Sequence, residues 1–180
     1  MSRRRFRPTD AFVDESIRGQ RYLMGCVLLE AHHLAEVRST MADLAVFERV
    51  HFNNESQRQK TRVLEAIATM PVSVLVVVFH RRQGLTEFAA RAACLTAIVD
   101  RLQTGSVGRL VIESRDDDRE DVRQLLRIRR PHPPLVFEHR QGSDEPMLWV
   151  ADAVTWAVGA GGRWRQAVDA VVENTIELRP

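Results

Sequence analysis

Ala11-Phe12-Val13-Asp14-Glu15-Ser16 carries apolar residues straight into two adjacent carboxylates and a hydroxyl, and a second apolar run, residues 22–29, follows a short turn. Side chains alternate faces along a strand, so Asp14 and Glu15 point opposite ways. Burying a carboxylate without a partner is costly, or drives its pKa up until it neutralises. If one face is core, one of the two carboxylates faces inward or into a cleft, and the other meets solvent or a helix. The alternative is that the strand ends at Val13 and Asp14 caps a turn.

Outward from this hairpin, Ile17-Arg18-Gly19-Gln20 supplies a turn with glycine available for positive φ. Helical spacing of Leu34, Val37, Met41 and Leu44 predicts a helix over 30–46. Ser56 is placed to cap a second helix over 57–70, closed by Pro71. Residues 72–79 form the most β-like segment, almost continuously apolar and therefore expected to be buried on both faces. A helix over 86–102, a strand over 109–114, a helix over 119–129, a strand over 135–139 and a helix over 144–160 follow. A last helix is expected over 163–173. Strands alternating with helices in the second half argue for a mixed sheet covered on both faces.

A chain of 180 residues is long enough for one domain with a core of its own. No apolar run approaches the length of a bilayer span, and the basic start Arg3-Arg4-Arg5-Phe6-Arg7 is not followed by an apolar signal segment. Residues 1–10 are therefore expected to be a disordered basic tail, with weak, salt-sensitive attraction to nucleic acid. Cys26 and Cys94 fall in apolar patterns and read as core residues of a protein in a reducing cytoplasm. Lys60 is the only lysine. The bias toward arginine most simply reflects a GC-rich coding sequence, and it also suits bidentate phosphate contacts.

Three carboxylates stand in apolar settings: Asp14, Glu113 at the end of its strand, and Asp152 within Met147-Leu148-Trp149-Val150-Ala151-Asp152-Ala153-Val154. Helical spacing groups Asp152 with Leu148, Thr155 and Trp156, so its face is not a solvated one. Such a residue needs an arginine, a hydrogen-bond network or a metal ion. Mg2+ and Mn2+ favour hard oxygen ligands, and a pair of such ions activates the attacking water and stabilises the leaving oxygen in phosphodiester cleavage. Structural salt bridges with the plentiful arginines are the competing account.

These residues resemble an RNase H-like family, family 3800 of the domains of unknown function, whose members open with Asp-Glu-Ser-Gly and carry a glycine in the second strand. Tyr22-Leu23-Met24-Gly25-Cys26-Val27-Leu28 is similar to that second strand. Val50-His51-Phe52 resembles its histidine segment, and Ser143 with the Ala151-Asp152 pair resembles its late serine and helix. The resemblance implies an α/β fold: an RNase H-like mixed sheet flanked by helices, with residues 31–70 inserted between the second and third strands of a single domain over 11–180. It implies a metal-dependent nuclease with Asp14, Glu113 and Asp152 as catalytic metal ligands, Mg2+ or Mn2+ as cofactor, and RNA or DNA as partner. The chain departs from the pattern at Ile17, where glycine would follow the serine, and at Glu113, where aspartate is usual.

A fourth ligand is open among Asp117, Asp144 and Glu15. Asp116-Asp117-Asp118 also fits a helix N-cap. His51, with Glu55, is a candidate for proton transfer. His32-His33 lacks a third ligand at zinc spacing. Arg81, Arg82, Arg115 and Arg119 are candidates for phosphate contact. Trp149, Trp156 and Trp164 read as core or as an interface, which leaves room for a homodimer. The alternative function is a non-catalytic RNase H-like module that binds nucleic acid or protein, and no membrane association is expected.

Overall fold

In the computed structural model, which describes residues 6–179, the opening motif lies in a long antiparallel hairpin of β1 (Asp10–Arg18) and β2 (Arg21–Leu29). A single 3-10 turn at Ala31–His33 replaces the start of the first expected helix, and α1 (Leu34–Leu44) follows. Next come α2 (Gln57–Ile67), β3 (Ser73–His80), α3 (Glu87–Leu102), β4 (Arg109–Glu113), α4 (Arg119–Ile128) and β5 (Val136–Arg140). The chain then runs through α5 (Pro146–Ala160), α6 (Gly162–Ala167) and β6 (Val172–Leu178). Ser56 accepts the Gln59 N–H at 3.2 Å and so caps α2, and Thr86 caps α3 in the same way through Ala89.

The six strands form one mixed sheet in the order β5-β4-β1-β2-β3-β6. The pairs β1–β2 and β2–β3 are antiparallel, whereas β1–β4, β4–β5 and β3–β6 are parallel. Residues 163–173 are not one helix. The short α6 ends at Ala167, and Val172-Glu173-Asn174-Thr175-Ile176-Glu177-Leu178 adds an edge strand to β3. Val168 and Val171 are buried and continue a helical period, which masks the onset of alternation at Val172. Ordered backbone also begins before the expected boundary at residue 10: the Arg7 N–H donates to Glu30 Oε1 and the Thr9 N–H to the Leu29 carbonyl. Residues 1–5, with Arg3 to Arg5, lie outside the described residues.

Strand alternation divides the core in two. Phe12, Leu23, Val27, Val76 and Val111 face α1, α2 and α5. Ala11, Val13, Tyr22, Met24, Cys26, Leu75 and Ile112 face the layer built from α3. Both cysteines are buried and free, and burial pushes each thiol up to about 12. Among the described residues no helix is long and apolar enough to cross a membrane.

The even positions of β1 share the face of Phe12, which puts Asp14 under α5 and Glu15 on the opposite side. In the hairpin register Asp14 lies across from Gly25. A Cβ at Gly25 would sit 2.0 Å from Thr155 Oγ1 and 3.4 Å from the Ala151 carbonyl oxygen. The missing side chain lets α5 settle onto the hairpin at the turn that carries Asp152. Gly25→Ala is therefore expected to lower the unfolding free energy by about 1–3 kcal/mol in a urea titration, and Thr155→Ala in the same chain to recover part of the loss. Unchanged stability in the single variant would show that α5 is not held this closely.

Candidate functional site

Asp14, Glu113 and Asp152 line one cavity of about 400 Å³ at the end of the sheet, together with Glu15, Arg18, Arg49, His51, Asn53 and Trp156. β1 contributes Asp14, which is 7% exposed and accepts the Glu15 N–H at 2.7 Å. β4 contributes Glu113, one residue past the last β1–β4 pair, Val13 with Ile112. α5 contributes Asp152, whose Oδ2 accepts the Phe52 N–H at 3.1 Å. Glycine is again required at the rim: a Cβ at Gly142 would lie 2.1 Å from Glu113 Oε1 and 2.7 Å from Arg49 Nη1.

Gathering these carboxyls away from water changes their proton affinity. Burial, and next the neighbouring Glu113 carboxyl, hold Asp14 well above the ordinary carboxylate range, and negative charge on Asp152 and Glu15 pushes the same way. Burial also pushes Asp152 up to about 6. The Phe52 N–H opposes that rise, Glu113 adds to it, and His51 and Arg49 counter it. Arg49 Nη1 is 3.8 Å from Glu113 Oε1, too far for a hydrogen bond. A cluster of hard oxygen donors that resists full ionisation suits a divalent cation, which would favour the ionised forms.

The adjacent carboxylate has a different fate. Glu15 meets Arg91 and Arg115 on the opposite face of the sheet, so its carboxylate is committed to ion pairs. Arg91, 2% exposed, also grips Asp121 with a bidentate fork (2.6–3.0 Å), and His139 Nε2 lies 3.2 Å from the same carboxylate. These partners outweigh burial and hold Asp121 down, at about 2.

The remaining expected residues divide similarly. His51 lies in the cavity wall, on the extended segment before a 3-10 turn at Phe52–Asn54. Asp117 is exposed and stands outside that wall, accepting both the backbone and side-chain N–H groups of Arg119. Asp144 also lies outside the wall and accepts the Ser143 hydroxyl. Arg81 donates to the Gly19 carbonyl, Arg115 pairs with Glu87 and Glu15, and Arg119 pairs with Asp117. Sequence reasoning passed over Arg18, Arg49, Asn53 and Trp156. A signal existed for two of them: Arg18 shares the strand face of Asp14, and Trp156 follows Asp152 by one helical turn.

Among the described residues, the trios whose ligating atoms all lie within 4.8 Å of one another are Glu30–His32–His33 and Asp118–Asp121–His139. Folding thus gives His32 and His33 the third partner that sequence spacing did not supply. In the second trio Asp121 is already taken by Arg91. Asp14, Glu113 and Asp152 are spread more widely than that.

Comparison with solved structures defines the class first: the fold is RNase H-like, a mixed six-stranded sheet flanked by helices. The chain is similar to ribonuclease H2 from Pyrococcus horikoshii OT3, with a TM-score of 0.60 and 13% identity over 84% of this chain and 72% of that one. It is also similar to Bst-RNase HIII, solved in complex with Mn2+, with a TM-score of 0.57 and 13% identity over 85% of this chain and 52% of that one. No protein-family model and no curated protein matches the chain.

The raised pKa values fix a sign for the pH dependence of the metal-free protein. Asp152 titrates near 6 in the folded state against 3.8 ordinarily, so its protonated form favours folding. That contribution is complete below about 3.8 and lost as pH rises through about 6. In EDTA, the stability of wild type relative to Asp152→Asn is expected to fall between those limits, measured by urea unfolding at a series of pH values. A difference that is flat or rises with pH contradicts the assignment.

Proposed function

We propose that this protein is a Mg2+- or Mn2+-dependent nuclease acting on nucleic-acid phosphodiesters, and a member of the family it resembles, family 3800 of the domains of unknown function. The observation that carries the reading is the convergence of Asp14, Glu113 and Asp152, from β1, β4 and α5, on one cavity at the end of an RNase H-like sheet. The Mn2+ bound to Bst-RNase HIII is consistent with this cofactor class. A bound divalent ion would supply charge stabilisation and lower the pKa of a coordinated water.

The chain's own groups do the rest. Asp14, Glu113 and Asp152 would hold the ions, and in doing so exchange a shared proton for a cation. Phe52 N–H fixes one oxygen of Asp152, leaving the other for coordination. His51, exposed on the rim, would carry a proton to or from the reacting oxygens. Asp117 is not retained as a ligand, since its carboxylate lies outside the cavity wall with Arg119. A cytoplasmic location and action as a single domain belong to the same proposal.

Calorimetric titration with Mn2+ is expected to give saturable binding to wild type that is lost in Asp14→Asn and in Asp152→Asn. Cleavage of labelled oligonucleotides is expected to fall at least about 100-fold in both, since outer-shell changes alone cost 10–100-fold. Binding of nucleic acid without Mn2+ affinity or cleavage would instead favour the non-catalytic binding module. His51→Ala is expected to lose about 100-fold in cleavage rate while retaining Mn2+ affinity. Loss of both together would assign His51 to the metal site.

A further inference from the structure

Most arginines at this end of the sheet are committed to protein partners. Arg21 donates to the Gly159 carbonyl at 3.0 Å, Arg81 to the Gly19 carbonyl, Arg91 to Glu15 and Asp121, and Arg115 to Glu15 and Glu87. Arg18 and Arg49 are different. Both line the carboxylate cavity, and among the described residues neither guanidinium makes a hydrogen bond. Arg18 Nη2 and Arg49 Nε are sealed from solvent without any partner. Buried N–H donors are nearly always paired, so Arg18 and Arg49 are two arginines of the cavity lining whose hydrogen-bonding capacity is left over.

Each guanidinium is nevertheless well positioned. Arg18 lies 4.8 Å from the centroid of the Trp156 ring, and Trp156 is fixed by its own N–H bond to Asn53 Oδ1 and by Lys60 Nζ, 4.6 Å from the same ring. Gly159 leaves space for the Arg18 stem, for a Cβ there would come within 3.2 Å of Arg18 Cγ. Arg49 stands beside Glu113 and Gly142 at 3.8 Å from the carboxylate, close enough to be attracted and too far to be satisfied. Stacking and packing orient the forks, and the hydrogen-bonding capacity is left open.

We infer that Arg18 and Arg49 are the phosphate clamps of this site, gripping backbone phosphates of a nucleic-acid strand beside the carboxylate cluster. This rests on the nuclease reading for the identity of the strand. The chemistry is specific: guanidinium is a planar, permanently charged fork that matches phosphate oxygens bidentately. It also accounts for how a polyanion enters a cavity lined by Asp14, Glu113 and Asp152, with Glu15 beside them. Arg18 and Arg49 bring positive charge to the same wall, and metal ions would then complete the neutralisation.

The test is fluorescence anisotropy in EDTA with a short fluorescein-labelled oligonucleotide, presented as an RNA strand, a DNA strand and an RNA–DNA duplex. Salt is varied between about 50 and 200 mM. Arg18→Gln and Arg49→Gln are each expected to weaken the best-bound probe and to reduce the slope of log K against log[salt] by roughly 0.7–0.9, the value of one phosphate contact. Arg18→Lys and Arg49→Lys are expected to restore the slope but not the full affinity, because the charge returns without the fork. Arg119→Gln, whose arginine is exposed and paired with Asp117, is expected to bind like wild type.

Unchanged affinity and slope in the Gln variants, a loss equal to that of Arg119→Gln, or a wild type that binds none of the probes would each overturn the inference. Should a Gln variant fail to fold by circular dichroism, the Lys variant decides: wild-type affinity there shows that no fork is engaged. Because these measurements exclude metal, their failure is separate from failure of the Mn2+ titration, which bears on the nuclease reading alone.

Discussion

The close seating of α5 on the β1–β2 hairpin is the constraint on which the remaining geometry depends. Gly25 offers no side chain, and the Thr155 side chain occupies the space where one would be, with the Ala151 carbonyl oxygen alongside. The helix is buried on nearly every side, with Leu148, Val150, Ala151, Ala153, Val154 and Ala157 all in the core. Such a helix has no preferred wet face and must be enclosed. α1 helps enclose it, and α1 also fastens its start: Arg38 grips the buried Glu145 with both arms of its fork while Glu145 caps Met147 N–H. Once the helix is fixed at its start and pressed against Gly25, Asp152 is carried to Asp14.

The hairpin separates two electrostatic regimes through a single peptide bond. Glu15, on the α3 side, is neutralised by Arg91 and Arg115, and Arg91 extends the network to Asp121 and His139. The carboxylates on that side are ion-paired. Asp14, on the α5 side, has carboxyls for neighbours and, among the described residues, no hydrogen-bonded arginine. A fold that can pair a buried carboxylate so completely on one face, yet leaves its sequence neighbour unpaired on the other, keeps the second one available for a ligand. Removing an ion-pair partner from the Glu15 side would strand a buried charge, whereas the Asp14 side already tolerates protonation.

Much of the architecture was legible in the sequence because apolar runs break sharply into charge. Val13 before Asp14 and Ile112 before Glu113 mark where strands leave the core, and parity along β1 and β4 puts those two carboxylates on one face. Gly25 was visible as a glycine in an apolar strand, though its reason, contact with Thr155, is tertiary. β6 was hidden because Val168 and Val171 prolong a helical rhythm into a half-exposed edge strand whose alternation starts only afterwards. The arginines were the least legible. A chain with so many cannot announce which are unpaired, and Arg115 and Arg119, which seemed well placed by sequence, are taken by Glu87, Glu15 and Asp117. Asp117 reads as a ligand only until its arginine is seen.

Lys60 gives the loop beside the cavity an unusual chemical signature. It is the only lysine in the chain, it is 9% exposed, and its Nζ donates to the Asn53 carbonyl at 3.0 Å beneath the segment that carries His51. Burial also lowers its pKa, so more of its amine is uncharged than in an ordinary lysine. Acylation, carbamylation or conjugation of a side-chain amine therefore has a single address on this protein, against the segment that carries Asn53. A label on the side-chain amine of this chain therefore reports on one place alone, the contact that holds Asn53 at the cavity wall.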